Sequence, residues 1–316
     1  MPEPVAISVA RYLGLPTDGV LALATAAPTS YKRYAIRKRS GGWRVIHQPA
    51  AETKAIQHAL METLLPELPV HAAAAAYVRG RQSPLYKNAM KHSDYRYSVR
   101  VDFKDFFPSI VPDDLLIRIR DIEELSRADE EFLRDALFVH AKKDAWSLAI
   151  GAPSSPMISN AVMFSIDREL SGWASGRGDV YTRYADDLVY SSNAKGSCAE
   201  FVVRLEMLLK ESRSPRLTIN RKKTVYSSPV TRRLVTGLIV TPNGKVSIGR
   251  RNKRYLRRLL DRVERRRLSG ERRVYLRGYL SFVLDVEPGL VDRLATKFGA
   301  SLLEEALSRC PERETT

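Results

Sequence analysis

Cysteine is nearly absent from this chain, and so are long apolar runs. Two cysteines, Cys198 and Cys310, occur in 316 residues. They are too few for a disulfide scaffold or a multi-cysteine zinc site, and they fit a reducing cytosol. No apolar run approaches the roughly 20 residues that cross a bilayer, and residues 1–4 lack the basic region of a secretory signal. The sequence therefore predicts a cytoplasmic protein without a membrane partner.

Acidic residues are also scarce relative to basic ones. The chain has 52 Lys and Arg against 36 Asp and Glu, a formal net charge of +16. Residues 250–277 alone hold 13 basic residues and three acids. Apolar residues at three- and four-residue steps predict that this segment is a helix with one packed stripe. The excess of positive charge indicates an anionic partner, with nucleic acid the leading candidate. The alternative is a solvated face on a generic basic protein.

Two adjacent acids stand out between β-rich runs. Asp186 and Asp187 lie between the predicted strands 180–184 and 188–191, which places them at a hairpin tip. Adjacent like charges repel each other, so the pair makes sense beside a cation, and hard divalent ions prefer carboxylate oxygens. A third acid, Asp102, ends another predicted strand. Three such carboxylates suit two Mg²⁺ ions about 3.5–4 Å apart, which activate a hydroxyl and stabilise leaving pyrophosphate.

These acids belong to a series of blocks that resembles one family over residues 31–290. The blocks are Gly41–Ile46, Val101–Ile110, Gly151–Asn160, Tyr184–Asp187 and Leu217–Thr224. In this order they resemble the fingers hairpin, the first palm motif, the template and nucleotide loop, the catalytic hairpin and the lysine motif of reverse transcriptases. Asn88–His92 fits the Asn-Ala-x-x-His pattern of the bacterial retron enzymes, and Val235–Gly237 fits their Val-Thr-Gly triplet.

The resemblance implies an α+β fold, the right-hand polymerase with fingers, a palm of antiparallel sheet and helices, and a helical thumb. The expected divisions are an N-terminal helical lead (1–30), fingers (31–97 and 114–157), palm (98–113 and 158–244) and a basic thumb (245–316). One residue departs from the family. Ile150 stands where many relatives have Gln, so a side-chain contact by that Gln is not expected, whereas backbone contacts from Gly151 and Ala152 are.

The resemblance also implies roles in catalysis. Asp102 and Asp186 bridge two Mg²⁺ ions, the Phe103 carbonyl is a further ligand, and Asp187 completes the acidic site. Lys223 is placed to protonate the leaving pyrophosphate, although a solvated turn lysine is the alternative.

The incoming nucleotide has its own expected contacts. Arg37, Lys38 and Arg44 clamp the triphosphate, since arginine geometry favours phosphate; general attraction for the nucleic-acid backbone is the alternative. Phe107 stands where the family places a steric gate against a 2′-hydroxyl, and core packing is its alternative. Backbone groups of Gly151 contact the nucleotide as well.

The residues expected to contact RNA or DNA combine the retron motifs with the basic thumb. They are Asn88, His92, Tyr184, Val235, Thr236, Gly237, Arg250, Arg251, Arg254, Arg257, Arg258, Arg265 and Arg266. Tyr184 is expected below the primer end. A satisfied loop histidine is the alternative for His92, and a strand glycine that permits close backbone approach is the alternative for Gly237.

The function implied is that of a retron RNA-directed DNA polymerase. It copies part of a cognate structured noncoding RNA from dNTPs into multicopy single-stranded DNA (msDNA), primed from an internal guanosine 2′-hydroxyl. A role in phage defence with an effector protein encoded nearby is also implied. One alternative is a group II intron or diversity-generating enzyme; the former needs extra domains, and the latter usually has Ser-Gln where this chain has Ser155-Pro156. A non-catalytic RNA-binding module is the other alternative, and the three acids argue against it.

Overall fold

The computed structural model describes residues 3–38, 41–78, 83–142, 145–212 and 214–308. The chain divides into two compact units. The first comprises Met1–Arg79, Val99–Tyr190 and Gly196–Val225, and the second comprises Gly80–Ser98, Ser191–Lys195 and Tyr226–Thr316. None of the described helices is both long enough and apolar enough to cross a membrane.

Helices and short strands alternate along the chain. The helices are α1 (Val5–Leu13), α2 (Thr17–Ala26), α3 (Ala51–Thr63), α4 (Pro84–Met90), α5 (Pro112–Arg120), α6 (Arg127–Leu137), α7 (Ser155–Val162), α8 (Phe164–Ser175), α9 (Ser197–Glu211), α10 (Arg250–Glu264), α11 (Gly270–Val286), α12 (Pro288–Phe298) and α13 (Ala300–Leu307). The strands are β1 (Tyr31–Arg37), β2 (Trp43–Pro49), β3 (Tyr97–Asp102), β4 (Phe138–Lys142), β5 (Ala145–Leu148), β6 (Val180–Tyr184), β7 (Asp187–Ser192), β8 (Val225–Ser227), β9 (Arg233–Val235), β10 (Leu238–Val240) and β11 (Val246–Ser247).

A four-stranded sheet with the strand order β6-β7-β3-β8 carries the predicted acids. Strand β7 is buried at every residue after Asp187, as expected for a short continuous apolar run inside a fold. Helix α8 packs on β6. An aromatic cluster anchors α9 to the sheet, because the ring of Tyr190 stacks on that of Phe201 with centroids 4.6 Å apart. This packing holds the strand ends that bear the acids.

The predicted hairpin around Gly41-Gly42 is present as β1 and β2. Its antiparallel register runs from Tyr31 opposite Pro49 to Arg37 opposite Trp43. The helical lead before it consists of α1 and α2, which are separated where Gly14 adopts a φ of +65°.

The sequence pattern predicts that residues 113–140 are helical, and the structure has two helices there and a strand at the end. Helices α5 and α6 end at Arg120 and Leu137, and β4 begins at Phe138. Val139 pairs with Ser147 of β5, and the Leu148 amide donates to the Ile110 carbonyl at 3.0 Å. Buried aromatic and β-branched side chains at this point favour the strand.

Two predictions in the second unit are wrong. The β-rich run of residues 234–240 predicts a single strand. In the structure it is a tight hairpin, because Thr236 and Gly237 have φ values of +46° and +81°. The single helix predicted over residues 250–277 is broken into α10 and α11. Between them Arg266 adopts a φ of +52° and Leu268 is buried. The break lets both helices pack their apolar stripes against α12 and α13.

Candidate functional site

The adjacent acids lie where the sequence predicts them, at the turn between β6 and β7. Ala185 adopts a left-handed backbone with φ of +57°, which tightens the turn. Asp186 and Asp187 follow it, and both side chains are half-buried. Tyr184, also half-buried, ends β6 on the other side of the turn. The turn therefore presents two carboxylates at one edge of the sheet.

Asp102 ends β3, the strand next to β7, and its side chain is bound by a lysine. The Lys223 ammonium donates to the two Asp102 carboxylate oxygens at 2.9 and 3.0 Å. Asn220 donates to the same carboxylate at 3.3 Å through its amide side chain. Its backbone amide also donates to the Asp102 carbonyl at 2.7 Å. The segment that resembles the lysine motif is thereby fastened to the end of β3.

The three carboxylates influence one another electrostatically. Burial raises the pKa of Asp187 to about 6; Arg100 opposes the rise, and the charges of Asp186 and Asp102 add to it. The pKa of Asp186 is also raised, first by burial and then by Asp102, against the lowering effect of Lys223. Negative charge at this turn is therefore only partly compensated by the neighbouring cations.

The donor set fits a divalent cation by its chemistry. Among the described residues, no group of three or more His, Cys, Asp or Glu side chains stands close enough together to hold a metal ion. At Asp102 the positive charge is supplied by the ammonium of Lys223, which is paired with the carboxylate. Carboxylate oxygens are the ligands that hard divalent ions prefer, and a cation would offset the burial and the repulsion by Asp102 that together raise the pKa of Asp186. The side chains must converge further for such an ion to be shared.

The backbone beside Asp102 pairs with the segment around Ile219. The Lys104 amide donates to the Thr218 carbonyl at 2.9 Å, and the Asn220 amide donates to Asp102. These two hydrogen bonds flank Phe103, whose own carbonyl takes part in neither. Its position is compatible with the ligand role expected from the resemblance.

A buried arginine supports the turn from below, and the sequence analysis missed it. Arg183 is 0% exposed. It donates to the Asp167 carboxylate from Nε at 2.9 Å and from Nη2 at 2.7 Å. Its Nη1 donates at 3.1 Å to the Asn160 side-chain oxygen and at 3.1 Å to the Ala185 carbonyl. Arg183 thus joins α7 and α8 to the backbone of the acidic turn.

The same network reaches the segment that follows His71. The Asn160 amide donates to the Ala76 carbonyl at 2.9 Å, and the Ala75 amide donates to the Arg183 carbonyl at 2.7 Å. A sequence signal for this network exists. Asn160 and Asp167 are seven positions apart in a predominantly apolar run predicted to be helical, a spacing that returns to the same helix face.

Tyr77 and Arg44 also lie near the acids. Burial raises the pKa of Tyr77, and the charge of Asp186 adds to the rise, whereas Arg44 lowers it. Tyr77 has a φ of +61° and an exposed ring, a combination that the sequence analysis did not single out. Arg44 also lowers the pKa of Asp186. Of the basic residues expected to clamp a triphosphate, Arg44 is therefore the one whose charge acts on the acidic turn.

The other two predicted clamp residues lie at the turn end of the β1–β2 hairpin. Arg37 pairs with Trp43, and the Lys38 amide donates to the Gly42 carbonyl at 2.9 Å. Both basic side chains are exposed.

Phe107 lies beside the core rather than within it. Its ring is half-buried and meets that of Phe106 edge to face, with centroids 5.4 Å apart. Phe106 is buried and stacks on Phe103. Phe103 and Phe106 fill the core at this point, so one face of the Phe107 ring remains accessible.

Gly151 is required by close packing against the hairpin. Its φ is +117°, and a Cβ atom there would lie 2.9 Å from Ile46 Cγ2 and 3.1 Å from the His47 carbonyl oxygen. The His47 amide donates to the Ile150 carbonyl at 2.9 Å. Ala152 is buried in the same loop. The loop that resembles the template and nucleotide loop is thus held against β2 through its backbone.

The two retron-type motifs meet in the second unit. The Thr236 hydroxyl donates to the Leu85 carbonyl of α4 at 3.1 Å. Val235 is buried, and Gly237 completes the turn. Asn88 is buried on α4, and neither polar atom of its side chain has a hydrogen-bond partner among the residues that the structure describes. The structure thereby brings together two motifs that are distant in the sequence.

His92 is enclosed by this unit. It is 1% exposed, and its Nδ1 lies 2.9 Å from the Ser191 hydroxyl. Burial, with the nearby charges of Lys91 and Arg233, lowers the pKa of His92 to about 3. The ring is therefore neutral and faces protein, in agreement with the satisfied histidine that the sequence analysis left open.

The predicted basic residues of α10 and its C-terminal end lie on the surface. Those with exposed side chains are Arg250, Arg251, Arg254, Arg257, Arg258, Arg265 and Arg266. One of them, Arg265, makes an ion pair with Asp261 at 3.1 Å. Exposed guanidinium groups are available to phosphate.

Comparisons with known proteins agree with this geometry. A family model described as reverse transcriptase (RNA-dependent DNA polymerase) matches residues 36–256. The chain is 36% identical over 280 residues to the retron Ec83 reverse transcriptase of Escherichia coli, covering 87% of this chain and 89% of that protein. It is 33% identical over 294 residues to the E. coli retron Ec73 reverse transcriptase, covering 90% and 92%. The chain belongs to the retron reverse transcriptase family.

A solved structure confirms the fold class. Telomerase from Candida albicans, solved in complex with a fragment of telomeric RNA, matches 94% of this retron reverse transcriptase with a TM-score of 0.51 and 14% identity. The chain spans 58% of that telomerase chain. The predicted α+β right-hand polymerase is therefore correct. This retron reverse transcriptase is an RNA-directed DNA polymerase, an enzyme whose template partner is RNA.

Proposed function

We propose that this enzyme copies part of a cognate structured noncoding RNA into single-stranded DNA. Synthesis starts from the 2′-hydroxyl of an internal guanosine, so that the product is msDNA. The observation that supports this most directly is the position of Asp102, Asp186 and Asp187 at adjacent strand ends, where their charges act on one another. The packing of Thr236 against α4 in the second unit adds the retron-type motifs.

The acidic turn is proposed to bind two Mg²⁺ ions. Reverse transcriptases generally depend on divalent metal. Asp102, Asp186, Asp187 and the Phe103 carbonyl would hold the ions, which, when bound, supply Lewis-acid activation and neutralise charge on the phosphoryl group. Arg183 fixes the turn backbone through the Ala185 carbonyl.

Lys223 is proposed to change partners during the reaction. Its ammonium is held by Asp102 at 2.9 Å, within reach of the acidic turn. Released from that carboxylate, it would donate a proton to an oxygen of the leaving pyrophosphate.

The nucleotide and template contacts follow from the surrounding elements. Arg44, with Arg37 and Lys38 on the same hairpin, would bind the dNTP triphosphate. The accessible face of Phe107 would exclude a ribose 2′-hydroxyl. The backbone of Gly151 and Ala152 would line the nucleotide, and Tyr184 would lie below the primer end. In this proposal the fingers, palm and thumb divide as the sequence analysis predicts.

The cognate RNA is proposed to be recognised by the second unit. Surfaces around Asn88, His92 and Val235–Gly237 would recognise folded RNA, and the exposed arginines of α10 would bind its phosphates. A defence role against phage, with an effector protein encoded nearby, belongs to the same proposal.

The test is DNA synthesis without an added primer. The purified enzyme is incubated with Mg²⁺, dNTPs and either the RNA transcribed beside its gene or a scrambled RNA of equal length. We expect branched RNA–DNA product with the first RNA only. Equal product from both, or extension only from an added DNA primer, would instead indicate a non-retron type of reverse transcriptase.

A further inference from the structure

Four aromatic rings line one side of α10 and α11 in the second unit. Tyr255 lies on α10, and Tyr275, Tyr279 and Phe282 lie on α11. Tyr255 and Tyr275 meet edge to face with centroids 6.2 Å apart. The rings of Tyr275 and Tyr279 are stacked at 5.8 Å, and those of Tyr279 and Phe282 at 6.1 Å. We refer to these four rings as the aromatic row.

The aromatic row is not needed to fill the core of its own unit. Tyr255 and Tyr275 are 41% and 51% exposed. The core-facing stripe of α11 is formed by other residues, namely Leu276, Leu280, Val283 and Val286, all of them buried. Contiguous exposed aromatic surface on a folded protein marks an interaction site more often than an isolated exposed side chain does.

A glycine opens the backbone beside these rings. Gly278 lies three residues after Tyr275 and four before Phe282, so it shares their face of α11. A helix with an internal glycine is less stable than the same helix with alanine, because glycine loses more conformational freedom on folding. A Cβ atom at Gly278 would meet nothing within 4 Å, so the packing of the protein itself does not require the glycine. The gap leaves room for a flat group to approach the rings.

Positive charge surrounds the aromatic row. Arg251 and Arg258 lie four residues before and three after Tyr255, and Arg272 lies three before Tyr275. These spacings place them on the same helix faces as the rings, and all three are exposed. Burial, with the neighbouring Tyr275 and Tyr255, raises the pKa of Tyr279 to about 12.

We propose that the aromatic row is a stacking platform for unpaired RNA bases, with the flanking arginines binding the phosphates between them. The inference rests on the proposed function and adds the kind of RNA segment that the second unit binds. Aromatic faces interleaved with basic side chains are the usual solution for single-stranded nucleic acid, because every base has a flat face. A duplex hides those faces within its own stack, and a neutral protein partner would not require the arginines.

The test compares single-stranded with double-stranded RNA. A variant carrying Tyr255→Ala and Tyr275→Ala is titrated against a fluorescent oligoadenylate and against a duplex RNA of the same length. We expect single-strand affinity to fall by about tenfold or more, as removal of base–aromatic stacking does. Duplex affinity changes by less than about twofold, and the slope of log K against log salt stays the same because no phosphate contact is lost.

Two control variants separate stacking from general loss of apolar surface. Leu284→Ala removes a side chain that is 40% exposed on the opposite face of α11 and should leave both affinities unchanged. The Tyr275→Phe variant keeps the ring and should bind like the wild type, and 2-aminopurine in the oligonucleotide should be quenched by the wild type and not by the alanine variant. Unchanged single-strand binding by the alanine variant, or equal loss on both RNAs, would overturn the platform.

The control for the proposed function is DNA synthesis by the same wild-type preparation. If that enzyme makes primer-independent product while the stacking test fails, only the platform is wrong. If it makes no DNA at all, the proposed function is wrong, whatever the binding result.

Discussion

Charge is concentrated in two regions of this chain, which hold it in opposite ways. Around the β6–β7 turn the acids are buried or half-buried, and Arg183 beneath them is fully buried and paired with Asp167. Along α10 the charge is exposed, and most of it faces water. Buried charge is expensive and therefore fixed in geometry, whereas exposed charge attracts phosphate without defining an orientation. In the proposed function, this difference separates the region that carries the chemistry from the region that provides affinity for RNA.

The largest expected effect is at the acidic turn itself. Asp186→Asn or Asp187→Asn should abolish DNA synthesis, because the chemistry needs carboxylates that can share a cation. Folding should remain nearly intact, since Asn keeps the shape and removes the half-buried charge whose burial and repulsion by Asp102 raise the pKa of Asp186. Primer extension and thermal unfolding measure the two properties. Near-normal extension by both variants would remove the turn from the active site.

The buried pair beneath the turn tests how fixed charge supports the site. Asp167→Ala leaves the Arg183 guanidinium buried without its carboxylate, and such a loss costs about 3–5 kcal/mol of folding free energy. Arg265→Ala, which breaks an exposed pair with Asp261, should cost about 0.5 kcal/mol or less. Denaturant unfolding of the two variants side by side provides the measurement. Equal losses would contradict the contrast between the regions.

Sugar selection tests whether the turn region also determines specificity. Phe107→Ala removes the half-buried ring while Phe106 and Phe103 keep the core packed. Discrimination against ribonucleotides should fall by about tenfold or more, which corresponds to about 1.4 kcal/mol. Single-nucleotide extension with dNTP and rNTP gives the ratio, and Phe107→Tyr, which keeps the ring, serves as the control. An unchanged ratio in the alanine variant would indicate that Phe107 serves only in core packing.

The smallest expected effect concerns pH and the second unit. The pKa of His92 is lowered from 6.5 to about 3 in the folded protein. The unfolded chain therefore binds the proton first as pH falls below 6.5. Stability from the neutral ring is full above that pH and decreases below it, by about 1 kcal/mol between pH 7 and pH 5.5. Denaturant unfolding of the wild type and of His92→Gln at both pH values measures this loss of stability. An equal change in unfolding free energy with pH for the two proteins would show that His92 is not titrating.

The acids were predictable from the sequence because their signal is local. Strand alternation and the turn around Ala185 identify the hairpin tip without knowledge of the rest of the fold. Arg183, by contrast, donates hydrogen bonds to side chains 16 and 23 residues away in the sequence, and only tertiary packing determines which residues these are. A buried arginine therefore looks like any strand residue until α7 and α8 are in place.

In the thumb helices the local pattern is correct, but it does not reveal a break in the predicted helix. The pattern of apolar residues correctly predicts helix on both sides of Arg266, and it gives no sign that the helix stops there. In one continuous helix Tyr255 and Tyr275 would be about 30 Å apart. The break brings their ring centroids to 6.2 Å. The aromatic row is a product of that break, so the sequence analysis could not contain it.

The most direct test of the contrast measures synthesis and RNA binding in the same two variants. One is Asp186→Asn, and the other replaces Arg257, Arg258, Arg265 and Arg266 with Ala. The account predicts that the first binds cognate RNA with wild-type affinity and makes no DNA. The second should bind all RNAs more weakly, lose about 0.7–0.9 from the salt slope for each phosphate contact removed, and still make DNA at saturating RNA. Loss of RNA binding in Asp186→Asn, or loss of synthesis at saturating RNA in the arginine variant, would contradict the account.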